Sequence, residues 1–378
     1  MLAAVLKEIT PGENRVAAIP KTVKELIKSG LAVRVQSGAG ESAFYSDQDY
    51  RDAGADVVSD STDLLNDVHI ILKVSPATLE EMETFPDGVA YVSLFQTTLA
   101  IAQVKKLSQK KISGFSMHLI PRTTLAQSMD ALSSQGNIAG YRSVLIGATH
   151  LPVYMPLLMT AAGTIPPAKV LILGAGVAGL QAIATAKRLG AQVEAFDVRP
   201  EVKEQVESLG AKFVEVESNS DDGVGEGGYA KETSADYKQR QQELIKQHIA
   251  KSNLVITTAL IPGRPAPLLI PTDMVNSMKP GSAIIDLAAE NGGNCEVTQS
   301  GEIVNHNGVI IDGRLNLPST MAVHASQLYA KNVSTFLTYM VKEGQLNIDL
   351  EDEIISGAMF THQGKITHKP TRDAVNLS

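Results

Sequence analysis

The sequence predicts an α/β chain built as two doubly wound parallel-sheet domains with a cleft between them, linked by long helices. Three observations carry that reading. Short apolar runs alternate with stretches of helical periodicity, which is the signature of a parallel sheet with crossover helices. One of those runs feeds a glycine-rich turn that opens a helix. The chain also has 378 residues, more than one ordinary core holds. The expected division is a discontinuous first domain, residues 1–130 plus 320–378, and a second domain, residues 131–319.

In the first domain, Ala3 to Leu6, Ala32 to Val35, His69 to Leu72, Val89 to Val92 and Ile112 to Leu119 read as strands. Between them, Lys21 to Ser29 places Val23, Leu26 and Ile27 at helical spacing and stops at Gly30, and Leu99 to Lys110 forms another helix. Residues 128–148 read as a helix that leads into the second domain.

The second domain opens on the most informative stretch of the chain. Val170-Leu171-Ile172-Leu173 is a strand, Gly174-Ala175-Gly176-Val177-Ala178-Gly179 a glycine-rich turn, and a helix then leads to a second strand ending at Asp197. In such a βαβ unit the first glycine allows the tight turn. The second lets backbone N–H groups approach a pyrophosphate, and the third lets the helix pack on the strand. Asp197 lies eighteen residues past the last glycine, where a carboxylate accepts from the adenosine ribose hydroxyls and repels a 2′-phosphate. A lone GxGxxG is weak, but strand, helix and acid agree here, so a Rossmann-like site preferring NAD(H) is expected. Arg199, two residues on, is the one complication, since an arginine there can pair with a 2′-phosphate.

Further strands are expected at Lys212 to Val216, Leu254 to Thr258, Ala283 to Leu287 and Gly308 to Ile311. After Pro318, Val333, Phe336, Leu337, Met340 and Val341 mark the buried face of a long helix, and the tail around His362-Gln363-Gly364 reads as a hairpin returning to the first domain. Ser218 to Asp236 resists regular structure. Its Gly and Asp content suits a plain surface loop, and Tyr229 suits the apolar tip of a lid.

Composition excludes several classes. With 44% hydrophobic and 20% charged residues and a net charge of −8, the chain is an ordinary soluble one with no nucleic-acid partner expected. The single cysteine, Cys295, cannot form an internal disulfide and fits a reducing compartment. The eight histidines lack ligand spacing, so no metal site is expected. The N-terminus reads as a strand and not a signal peptide, and prolines break the apolar stretch Leu151 to Leu180, so no direct membrane span is expected.

The segment Pro121 to Gln135 gathers Arg122, Gln127, Asp130 and Ser133 near a helix start. Read from composition alone, Asp130 or Ser128 caps the helix and Arg122 is a solvated charge. Taken with the glycine turn, Asp197-Val198-Arg199, Gly227 to Glu232, Thr257 to Gly263 and Ile285-Asp286-Leu287, the block resembles the NAD(H)-binding component, domain I, of proton-translocating nicotinamide nucleotide transhydrogenases. The likeness covers nearly the whole chain.

That resemblance implies hydride transfer from NADH here to NADP⁺ on a separate NADP(H)-binding component, coupled to proton movement by a membrane component. It also implies a homodimer, peripheral on the cytoplasmic face of the inner membrane through its partners. Carried over, Arg122, Gln127, Asp130 and Ser133 hold the nicotinamide and its ribose. Ala175, Gly176 and Val177 meet the pyrophosphate, Asp197 the adenosine ribose, and Gly228, Gln241 and Leu260 wall the nucleotide, with Tyr229 on a mobile loop; Gly174, Gly179, Val198 and Arg199 complete the cofactor-binding set. Thr233 departs from one pattern of the family, which has a methionine there. The end at Ser378 without membrane helices suggests a split-subunit form.

Alanine dehydrogenase shares the fold, and Glu13-Asn14-Arg15-Val16, Lys73 and Asn291-Gly292-Gly293 resemble that family too. The position of its histidine appears here as Gln96, which cannot act as a general base near neutral pH, and Glu290 stands in place of an aspartate. Arg15 and Lys73 then read as structural. Ring-to-ring hydride transfer needs no acid or base, only two C4 atoms held about 3–3.5 Å apart. A non-catalytic NAD(H) sensor is a third reading from a different class.

Overall fold

A computed structural model describes residues 1–215, 235–261 and 264–378. They fall into two compact units, Met1–Gln135 with Pro318–Ser378, and Gly136–Leu317.

The first unit holds an eight-stranded sheet in the order Lys365–Ile366, Met359–His362, Ser113–Ser116, Ala90–Ser93, Ile70–Leu72, Leu2–Val5, Ala32–Gln36, Asp56–Val58. The six strands that precede residue 120 run parallel, and numbered along the chain their order is 3-2-1-4-5-6. The reason is in the side-chain alternation. Ala3, Val5, Ile70 and Leu72 enter one core, while Ala4, Ile71 and Tyr91 enter another on the opposite face, so both faces must be covered by crossover helices.

Those helices include Pro20–Lys28 and Ile101–Gln109, close to expectation, and three that apolar spacing does not reveal: Asp47–Asp52, Ser61–Leu65 and Leu79–Thr84. All three are too short for apolar periodicity to register. Their start signals are nonetheless present, because Ser46 with Asp49 and Thr78 with Glu81 form capping boxes and Asp60 caps the third. The tail hairpin is present. Met359–His362 pairs antiparallel with Ser113–Ser116 and with Lys365–Ile366, and Gln363 and Gly364 take the positive φ values (47° and 81°) its tight turn needs.

The second unit holds a seven-stranded sheet in the order Lys212–Val214, Gln192–Phe196, Lys169–Leu173, Leu254–Thr257, Ala283–Asp286, Val309–Asp312, Ile303–His306. Its parallel strands, numbered among themselves, again run 3-2-1-4-5-6, and Ile303–His306 is an antiparallel edge not expected from sequence. Val170, Ile172, Leu254 and Ile256 face one core, and Leu171, Leu173 and Val255 the other. Two doubly wound sheets, largely parallel, are therefore what the chain forms.

Small residues bring the helix Ala131–His150 close. A Cβ on Gly140 would lie 2.0 Å from the carbonyl oxygen of Ala178, and one on Gly147 would lie 2.6 Å from the Leu254 methyls, so each glycine is a point of contact with the glycine-turn helix or the sheet. The hairpin Leu158–Thr160 with Gly163–Ile165 was not foreseen from sequence, and it leaves Met159 73% exposed.

Candidate functional site

The turn after the strand Lys169–Leu173 is fixed by three separate glycine demands. Gly174 has φ +102°, and a Cβ there would meet Thr258 Oγ1 at 2.5 Å. A Cβ on Gly179 would stand 1.9 Å from the carbonyl oxygen of Gly174, so only glycine lets the helix Val177–Arg188 sit against the strand end. At Gly176 the nearest atom to a built Cβ is Arg199 Nη2 at 4.0 Å, so this glycine faces open space, as close backbone approach to a ligand requires. Gly176 is also the N-cap, with no side chain capping the helix, which leaves first-turn donors for an anion.

Asp197 lies past the end of the strand Gln192–Phe196 and is nearly buried. Its Oδ2 accepts from Ala175 N at 2.7 Å and Arg199 Nη2 at 3.0 Å, and its Oδ1 accepts from Arg199 N at 2.9 Å and Nε at 3.0 Å. Two of the sequence-based assignments change in detail. The Ala175 amide donates to Asp197 and is therefore not directed at a pyrophosphate. Arg199 grips Asp197 with its guanidinium fork, and the fork's two bonds with those from Arg199 N and Ala175 N fill the four acceptor positions of the carboxylate. A ribose hydroxyl can reach Asp197 only if the Arg199 fork gives way.

The opposite wall of the turn is the segment after Leu254–Thr257. Thr258 donates from Oγ1 to the carbonyl oxygen of Gly174 at 3.0 Å, and Leu260 is 43% exposed beyond it. Gln241 is buried on the helix Ala235–Ile249, and Val198 packs on the core that contains Leu173 and Phe196. Gly228, Tyr229 and most of the expected loop lie outside the described residues, as do Pro262 and Gly263.

In the first unit, the 3₁₀ turn Gln127–Met129 buries Met129 and leaves Gln127 exposed, with Arg122 also exposed. Asn332 Nδ2 ties the turn down by donating to the carbonyl oxygen of Ser128 at 2.9 Å. Asp130 accepts from Ser133 N at 2.9 Å and Ser133 Oγ at 2.5 Å, so it does cap the helix Ala131–His150. The cap fixes Asp130 and Ser133 as a pair one turn from Gln127.

A buried ionic cluster in this unit is only glimpsed from sequence. Arg15 grips Glu13 bidentately at 2.7 and 2.6 Å and donates to Gln135 Oε1 at 2.9 Å. Lys73, fully buried, contacts Glu81 at 2.5 Å and Glu8 at 3.7 Å. Burial pushes the Glu8 carboxyl up to about 7 against the pull of Lys73, and its Oε2 has no hydrogen-bond partner. The lysine is internally paired, in keeping with a structural role. Gln96 is half-buried after the strand Ala90–Ser93, and Glu290 Oε1 accepts from Asn316 N at 2.8 Å.

Two family models match this chain: Alanine dehydrogenase/PNT, N-terminal domain, over residues 4–139, and Alanine dehydrogenase/PNT, C-terminal domain, over residues 143–369. The chain belongs to the alanine dehydrogenase/PNT family. Within it, similarity is graded. The first part of the NAD(P) transhydrogenase alpha subunit of Rhodospirillum rubrum is 46% identical, covering 97% of this chain and 98% of that one. The protein of the same name from Rickettsia prowazekii is 44% identical over 99% and 98%. An alanine dehydrogenase of Staphylococcus haemolyticus is 30% identical over 100% and 97%. Among solved structures, a transhydrogenase from Sinorhizobium meliloti matches with TM-score 0.87 at 43% identity, covering 97% of this chain and 100% of that one. An L-alanine dehydrogenase at 24% identity and TM-score 0.84, covering 100% and 99%, shares the fold.

Proposed function

We propose that this family member is the NAD(H)-binding alpha component of a proton-translocating transhydrogenase, passing hydride from NADH to NADP⁺ held by a separate component. The observation that carries the reading is the glycine turn itself. Gly174 and Gly179 admit no side chain, Gly176 opens on free space at an uncapped helix start, and Asp197 stands beside it. Relatives at 44–46% identity over nearly the whole chain bear the transhydrogenase name.

NADH supplies the hydride, and the chain's role is to bind and orient it. Gly176 and Val177 amides hold the pyrophosphate and Asp197 the adenosine ribose once Arg199 shifts. Gln241 and Leu260 line the nucleotide, with Gly228 and Tyr229 assigned to the same task. Arg122, Gln127, Asp130 and Ser133 orient the nicotinamide end. No proton is gained or lost at the carbons, so orientation is the whole requirement. Coupling to proton movement belongs to a membrane component. No described helix is long and apolar enough to cross a membrane, and the peripheral place on the cytoplasmic face follows from the proposed partners alone. The exposed apolar residues Tyr154, Leu157 and Met159 at the hairpin support a homodimer.

The alanine dehydrogenase reading requires a base where Gln96 stands, and Lys73 to be available to substrate, whereas Lys73 is paired with Glu81 and Glu8. The test mixes this chain with a transhydrogenase NADP(H)-binding component and follows reduction of an NADP⁺ analogue by NADH. Exchange that needs both components is expected. NADH production from L-alanine by the chain alone overturns the reading, and NADH binding without exchange favours a sensor.

A further inference from the structure

Past the strand Ala283–Asp286, the chain wraps around one side chain. Asp286 is 1% exposed, and five donors converge on it: Thr257 Oγ1 at 2.8 Å, Ala288 N at 3.0 Å, Asn294 N at 2.8 Å, Cys295 N at 3.1 Å and Thr298 Oγ1 at 2.7 Å. The wrap is close enough to demand glycine, since Gly293 has φ +83° and a Cβ there would meet Asp286 Oδ2 at 2.8 Å. Its product is the placement of Asn294, which is fully buried.

Asn294 uses both ends of its amide. Oδ1 accepts from Ala259 N at 3.0 Å, and Nδ2 donates to the carbonyl oxygens of Ala259 at 2.9 Å and Pro267 at 2.8 Å. Its own carbonyl oxygen accepts from Leu269 N at 2.8 Å and Ile270 N at 2.9 Å. One residue therefore ties the outgoing stem, at Ala259, to the returning stem, at Pro267 to Ile270. Leu260 is the next residue out from the knot, and Thr258, the one before it, is bonded to the glycine turn. A buried amide with three hydrogen bonds, held by a buried acid with five, is a costly arrangement to build for a plain surface turn.

We propose that Asn294, set by Asp286, is a positioning residue of the nucleotide site: it clamps the two stems so that Leu260 is presented as a fixed wall beside the Gly174 turn. The inference rests on the assignment of Leu260 to the nucleotide wall. It also gives the Asn291-Gly292-Gly293 run a task, which is to turn the chain tightly enough around Asp286 to deliver Asn294.

Asn294→Asp is the informative substitution, because it keeps the size and the acceptor facing Ala259 N while removing the donor to two carbonyl oxygens. Ser282→Ala is the comparison, since it removes a buried hydrogen bond of the same unit, from Ser282 Oγ to the Ser252 carbonyl oxygen at 3.2 Å, and touches neither the stems nor Asp286. NADH affinity would be followed by fluorescence titration, amide hydrogen exchange at Ala259 and Leu260 by mass spectrometry, and global stability by urea unfolding. We expect Asn294→Asp to weaken NADH binding at least tenfold and to lose exchange protection at Ala259 and Leu260. Ser282→Ala should bind NADH within threefold of the unmodified protein even where its stability loss is equal. Unchanged protection in folded Asn294→Asp, or equal loss of NADH affinity in both variants at matched stability, overturns the clamp. If the unmodified protein binds no NADH, the site assignment fails instead, and the exchange measurement still decides whether Asn294 holds the stems.

Discussion

Replacing Glu8 by glutamine should remove a large fraction of the pH dependence of this protein's stability. Glu8 sits with Glu13, Glu81, Arg15 and Lys73 in a buried cluster whose acids outnumber its bases by three to two. A neutral Glu8 balances the cluster, and burial raises its carboxyl from 4.5 to about 7. A folded-state value above the unfolded one favours folding at low pH. The contribution is whole below the unfolded value near 4.5, and it is lost as pH rises through about 7. At about 1.4 kcal/mol per tenfold step the full loss is about 3 kcal/mol, of which roughly 2.5 kcal/mol falls between pH 5 and pH 8. Glutamine keeps the acceptor for Val74 N, which Glu8 Oε1 meets at 2.6 Å, and has nothing to ionise. Thermal unfolding of both proteins at pH 5, 6, 7 and 8 is the assay. The variant should gain on the parent steadily with pH, by roughly 5–10 °C over that range for a unit of this size. A difference between the two proteins that is the same at pH 5 and pH 8 would refute the reasoning.

Gly140→Ala should destabilise the second unit by about 1–3 kcal/mol or more in urea unfolding, because its Cβ would stand 2.0 Å from the Ala178 carbonyl oxygen; an unchanged midpoint would mean that the helices part freely. NADH should bind at least tenfold tighter than NADPH, about 1.4 kcal/mol, and Arg199→Ala should widen that gap by removing the guanidinium from Asp197; equal titration curves for the two nucleotides in the parent would point to Arg199 as a phosphate ligand. Gln127→Ala, at an exposed position, should slow hydride transfer to partner-bound NADP⁺ on the order of 10²-fold with much less effect on NADH affinity; the opposite pattern would make Gln127 a binding residue only.

The central parallel strands were legible because they carry runs of apolar residues buried on both faces, as in Val170 to Leu173 and Leu254 to Ile256. The segments that escaped do not bury such a run. Asp56–Val58 is a parallel edge of one exposed and two half-buried residues, and Ile303–His306 alternates exposed and half-buried positions at the other sheet's edge. The glycine turn was legible since each glycine answers a separate steric demand. The Asn294 clamp was not, since it is made of one amide and backbone groups separated by up to 35 residues, a pattern without period. Nor does sequence reveal that Arg199 occupies Asp197, because two residues of separation permit that contact without requiring it.

The two units place their chemistry at the same topological point and use it in opposite ways. In each sheet the first and fourth parallel strands lie side by side, and the chain leaves them in opposite directions, which opens a crevice past their carboxyl ends. In the first unit the residues just beyond those strands, Leu2–Val5 and Ile70–Leu72, include Glu8 and Lys73, whose buried side chains meet there at 3.7 Å. In the second unit, past Lys169–Leu173 and Leu254–Thr257, the residues in register with Glu8 and Lys73 are Gly176 and Thr258: Gly176 faces open space, and Thr258 bonds to Gly174. A long acid and a long base close a switch point, whereas glycine and a short hydroxyl keep it open. The fold offers two such crevices, and side-chain volume at the strand ends favours the second for the nucleotide proposed above.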